Sequence, residues 1–181
     1  QNKGVINQYL GYNRLALKFY EEASEYYNAL GNINGSIEVM INQATIYLGL
    51  AEIEKAEQFL LEAEKLSLRH GFNDNLLIIY MDLGELYKSK NKELRKTYLA
   101  KAYDNATNYG KVHASIEIGV QLGLLALEEG SKIEAAKLLR DVKNIDAPIS
   151  KKNQFDIYWL ESKYWEALKN FDKAFEFSKR A

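Results

Sequence analysis

The chain has 181 residues, 47% hydrophobic and 27% charged, with a net charge of -1 at pH 7. This is ordinary globular composition, which excludes an intrinsically disordered chain, and the near-zero charge excludes bulk attraction to nucleic acid or an anionic membrane. The absence of cysteine excludes disulfides, thiolate metal sites and a cysteine nucleophile and fits a reducing, cytoplasmic setting, while no apolar stretch approaches the roughly 20 residues that span a bilayer.

One proline and 11 glycines leave little material for a turn-rich β architecture, and the long segments are dominated by the helix formers Ala, Leu, Glu and Lys. The first helical pair is read from its end. Ala16, Phe19, Tyr20, Ala23 and Gly31 stand 40 residues before Ala56, Phe59, Leu60, Ala63 and Gly71, and Tyr9-Leu10-Gly11 matches Tyr47-Leu48-Gly49 at a shift of 38.

In the second pair, Ile37 to Gly49 spaces apolar side chains three and four apart, which predicts an amphipathic first helix, A. Ile53, Ala56, Phe59, Leu60, Ala63 and Leu66 form one stripe of a second helix, B, that runs to Leu68 and ends at Gly71. The third pair has A from about Asn75 to Ser89 behind the capping candidates Asn73 and Asp74, a turn at Asn91, and B to Tyr109 before Gly110. The fourth has A from Val112 to Glu129, a turn at Gly130, and a candidate capping box of Ser131 with Glu134. Its helix B is expected to stop near Asn144, ahead of Pro148. The fifth starts near Ser150, turns at Lys169-Asn170 and enters B at Phe171.

These pairs keep a common beat. Ala44, Gly84, Gly123 and Ser162 are separated by 40, 39 and 39 residues, and Tyr47, Tyr87, Ala126 and Trp165 follow them three residues on. A period of this size is the mark of a stacked repeat array. The expected fold is all-α, a right-handed superhelix of about five antiparallel hairpins, with repeats at 1–32, 33–72, 73–110, 111–148 and 149–181. The chain opens on Gln1 rather than Met, and both ends cut into the pattern without a polar cap, so a longer parent array is expected.

The second pair carries Ala44-x-x-Tyr47-x-x-x-Ala51-x-Ile53-x-x-Ala56-x-x-x-Leu60-x-x-Ala63, which resembles the tetratricopeptide repeat. Gly84, Tyr87 and Asn91, then Gly123, Gly130 and Ala135, then Trp165, Phe171, Ala174 and Ala181 echo it. The period departs from the usual length of about 34 residues, and Lys96 or Thr97 stands where alanine is expected in the third pair. Small residues in two of these columns are expected to let A and B approach closely. Long-helix arrays of this kind resemble those of bacterial regulators.

The resemblance implies that helices A line a concave partner-binding face. One inward row would hold Ile41, Met81, Val120 and Trp159, the next Glu38, Ile78, Glu117 and Asp156, and a third Asn42, Asp82, Gln121 and Leu160. Thr45, Glu85, Leu124 and Lys163 follow, then Leu48, Lys88, Leu127 and Glu166, with Gly49, Ser89, Glu128 and Ala167 at the far end. Seven acids against two bases on these rows favour a protein or peptide partner with apolar anchors and positive charge. Capture of an acidic chaperone tail would need inward Lys, Arg and Asn, and only Asn42 has a suitable type.

No chemistry competes with this reading. His70 and His113 lack ligand spacing, and carboxylate pairs such as Glu21-Glu22 and Glu128-Glu129 read as solvated faces. No phosphate-cradling GxxxxGK[ST] occurs, the tyrosines fall at packing intervals, and the basic cluster Lys88, Lys90, Lys92, Arg95 and Lys96 surrounds a turn. The expectation is a non-enzymatic module without cofactor or metal, a regulatory or scaffolding segment of a larger bacterial signalling protein. Direct nucleic-acid or membrane binding is not expected, and self-association is compatible with an array. The alternative is a sensor domain that binds a small molecule or signalling peptide and changes superhelical curvature.

Overall fold

The computed structural model describes residues 2–9 and 11–181. Within them the chain is all-helical, with ten α-helices in antiparallel pairs and no strand. Leu10, in the segment matched to Tyr47-Leu48-Gly49, lies outside the described residues. The chain divides into two compact units, Gln1–Tyr98 and Leu99–Ala181.

The first unit contains α1 (Asn2–Tyr9), α2 (Asn13–Ala29), α3 (Ile33–Gly49), α4 (Ile53–His70), α5 (Asn73–Leu86) and the start of α6 (Lys92–Asn108). Its apolar stripes meet in two places. Tyr20 and Ala16 of α2 bury against Val39 and Ile46 of α3, and Ile37, Leu60, Ile79 and Leu83 form the fully buried centre of α3, α4 and α5. Aromatic pairs seal the seams, Tyr47 on Phe59 and Tyr87 on Tyr98, each with ring centroids 5.6 Å apart. Gly35 has no room for a side chain, since a Cβ there would sit 2.8 Å from the Tyr27 ring.

The second unit contains the rest of α6 with α7 (Val112–Glu128), α8 (Lys132–Lys143), α9 (Lys151–Ala167) and α10 (Phe171–Arg180). Ile116, Val142 and Leu160 centre its core. The small column has a different use here from the expected A-to-B approach. A Cβ on Gly123 would meet Leu160 of α9 at 2.8 Å, so the glycine admits the next A helix. Ser162, in the same column, does face its own B helix, donating to the Ala174 carbonyl at 2.8 Å.

Several helix ends differ from expectation. Helix α3 starts at Ile33, because the Asn32 side chain accepts the Gly35 N–H at 2.9 Å and caps the first turn. Asn73 and Asp74 are not caps but lie inside α5, after Phe72. Helix α5 stops at Leu86, and i→i−3 bonds such as Lys88 N–H to the Glu85 carbonyl carry the chain out of it. Ser131 precedes α8 without a capping hydrogen bond from its side chain. Asn91, Ser150 and Asn170 do cap, each accepting the N–H three residues on.

The A-to-B reversals other than that between α5 and α6 share one geometry, in which an N–H reaches back five residues: Tyr12 to Asn7, Glu52 to Tyr47, Ser131 to Ala126, Asn170 to Trp165. The residue before that donor is left-handed, at φ 76° for Gly130 and φ 59° for both Ala51 and Lys169. A Cβ in this region costs about 1–2 kcal/mol. Ala51→Gly and Lys169→Gly are each expected to raise stability by about 1 kcal/mol in urea unfolding. A destabilised variant would refute the account.

Candidate protein-binding faces

In each unit, successive A helices lie side by side. Two polar ties hold their N-terminal ends: Asn75 Nδ2 donates to Asn34 Oδ1 at 2.8 Å between α5 and α3, and His113 Nδ1 lies 2.7 Å from Asn153 Oδ1 between α7 and α9. Asn153 also donates to the His113 carbonyl at 3.3 Å. The sequence alone reads His113 as an ordinary polar helix end. Its separation of 40 residues from Asn153, one repeat, is the signal that could have paired them.

The accessible strip of α3 and α5 is made by Glu38, Asn42 and Thr45, then Ile78, Met81, Asp82 and Glu85. Of these Ile78 is 47% exposed, and Asp82 is half-buried. In the other unit, Glu117, Gln121 and Leu124 of α7 face solvent beside Asp156, Trp159 and Lys163 of α9.

Part of the expected apolar row is closed. Ile41 and Val120 are 7% and 5% exposed, and Leu160, of the row that holds Asn42, is fully buried. Ile41 joins the core of α3, α4 and α5, and Val120 packs with Ile157 and Leu160. Both side chains point into those cores, where residues of the following A helix cover them. Trp159 is 40% exposed and Met81 partly so, while Leu48 leans half-buried on the core. Lys88 lies past the end of α5.

In the second unit the open positions line a shallow, open cleft of about 510 Å³. Leu124, Leu127 and Glu128 of α7 form one wall, and Trp159, Lys163, Glu166 and Ala167 of α9 the other. The Lys163 ammonium sits 4.9 Å from the Trp159 ring centroid and 2.8 Å from a Glu166 carboxylate oxygen. The cleft thus has an apolar floor, an aromatic edge and a charged rim, a combination suited to one apolar side chain of a partner.

The negative charge expected on these faces is largely satisfied within the protein. Glu117 pairs with Lys152 at 3.1 Å and Glu85 with Lys88 at 3.0 Å. Burial raises the Asp156 carboxyl and nearby Glu117 adds to this, while Lys152 opposes it. Asp82 differs: burial alone pushes its pKa up, to about 6, and among the described residues it makes no hydrogen bond or ion pair. Among the described residues no cluster of His, Asp and Glu is placed to hold a metal, and no helix is long and apolar enough to cross a membrane.

Three solved structures are similar in fold. BtubC (BKLC) from P. vanneervenii superposes with a TM-score of 0.81 at 18% identity, over 98% of this chain and 74% of that one. A putative kinesin light chain of nearly identical TPR-like repeats from Podosopora anserina gives 0.76 at 12% identity, over 98% and 89%. The fold is tetratricopeptide-like. MamA of MSR-1 follows with 0.57 at 12% identity, over 91% and 93%. No family model matches the tetratricopeptide-like chain, and no curated protein matches it. Folds of this type commonly mediate protein–protein interaction.

Proposed function

We propose that this protein is a non-enzymatic binding module that takes a protein or peptide segment on the open faces of its A helices. It would serve as a regulatory or scaffolding segment of a larger bacterial signalling protein. The observation that carries the binding mode is the α7–α9 cleft, where Leu124, Leu127 and Trp159 leave apolar area uncovered between charged rims. Burying that area supplies a favourable transfer term of about 25 cal/mol per Å², from which the costs of association are subtracted, while the rim fixes register. An extended segment with a leucine or aromatic anchor is the occupant this geometry fits.

Peptides selected on the full chain from a display library test the reading. Trp159→Ala and Leu124→Asp should each weaken the selected peptides about 10- to 100-fold, the range of an interface hot spot. Ile133→Ala, at a position 88% exposed on α8, should leave affinity unchanged. Selected peptides that bind the Trp159→Ala protein as tightly as the parent would overturn the assignment.

A further inference from the structure

Asp82 is the acid that these faces leave without a partner. It lies on the open side of α5, with Ile78 one turn before it, Met81 beside it and Glu85 nearly a turn after. Glu85 is held by Lys88, and Glu38 of α3 accepts from Asn34 at 2.9 Å. No such group reaches Asp82. Its repeat equivalents, Asn42, Gln121 and Leu160, carry no charge, so neither packing nor the repeat pattern calls for a carboxylate here. A half-buried carboxylate without a counter-ion forfeits hydration and gains nothing inside the protein to offset it. A cation would offset that cost, and the apolar neighbours Ile78 and Met81 suit the alkyl stem of one.

Building on the peptide-binding reading above, we propose that Asp82 receives a single basic side chain of a segment bound on the α3–α5 face. The stem of that side chain lies along Ile78 and Met81, and its charged head pairs with the carboxylate. Arginine fits best, because its planar fork satisfies both carboxylate oxygens at once. The unit thereby reads one positive charge at one place, which is a different demand from general attraction to an acidic surface.

Two peptides separate the possibilities: acetyl-Leu-Gly-Arg-Gly-Leu-amide, and its counterpart with neutral, nearly isosteric citrulline in place of arginine. Binding to the full chain is followed through the methyl signals of Ile78 and Met81. The arginine peptide should bind about 10-fold or more tighter, as expected for a charge-assisted hydrogen-bonded pair. Asp82→Asn should abolish that preference while leaving the citrulline peptide's affinity unchanged. Equal binding of the two peptides, or a preference that survives Asp82→Asn, overturns the subsite and leaves the peptide-binding reading standing. Binding of neither peptide at these methyls overturns the inference, while the α7–α9 cleft is judged separately by the Trp159 variant. Thermal melting of Asp82→Asn confirms that the variant compared is folded.

Discussion

Replacing Lys143 with methionine is expected to destabilise the protein by about 2–3 kcal/mol, among the largest effects of any substitution at a partly exposed position. The Lys143 ammonium lies 2.8 and 2.7 Å from the two carboxylate oxygens of Glu161. The Glu161 side chain is only 8% exposed, whereas that of Lys143 is 43% exposed. Loss of the lysine therefore strands a buried carboxylate rather than merely deleting an attraction. The expected loss stays below the upper end for buried pairs because water already reaches the lysine. Removing both charges, as Lys143→Met with Glu161→Leu, should recover most of the loss. Lys163→Met, which breaks the more exposed pair with Glu166, should change stability by less than about 0.5 kcal/mol. Urea unfolding of these variants decides the matter; a single Lys143 variant as stable as the parent would show that Glu161 is not held this way.

Asp82→Asn should do the opposite and stabilise the protein at neutral pH by about 2–3 kcal/mol. Burial raises the Asp82 carboxyl from 3.8 to about 6, and each tenfold change in proton affinity corresponds to about 1.4 kcal/mol. The sign follows from proton counting. Between these two values the folded chain holds a proton at Asp82 that the unfolded chain has lost, so stability falls as pH rises through that window. Above about pH 6 the full cost of the buried charge is present, and below about pH 4 it is gone. The asparagine variant lacks this dependence, so the two stability curves should converge in acid and separate toward pH 7. An Asp82→Asn protein less stable than the parent at pH 7 would contradict the account. If Asp82 also receives a partner's cation, its cost in the free protein is a stability–function trade-off.

The repeat architecture was legible in the sequence because its signals are local. Ala56, Leu60 and Ala63 announce a stripe at helical spacing, and Gly71 announces its end, as Gly130 does for α7. What each stripe meets was harder to read. The column holding Gly123 and Ser162 looks uniform, yet Gly123 admits Leu160 of the next A helix while Ser162 bonds its own B helix. Ile41 and Val120 failed as exposed anchors for the same reason: a period tells which way a side chain points within its hairpin, not how far the following hairpin slides over it. Leu124, Trp159 and Lys163 do come together in one cleft. The acids misled in a different way. Glu117 looked free along its own helix, but Lys152, 35 residues on, neutralises it across the interhelix seam. The solitary state of Asp82 became visible only once the acids around it had found their company.

Two polar ties between successive A helices lie at one extremity of each pair. Asn34 with Asn75, and His113 with Asn153, join the starts of the helices, whereas Leu127 and Glu166 sit near their finishes. A guest in the α7–α9 cleft would therefore seat at the far end of the helices from the His113–Asn153 clasp, touching the pair without breaking that tie.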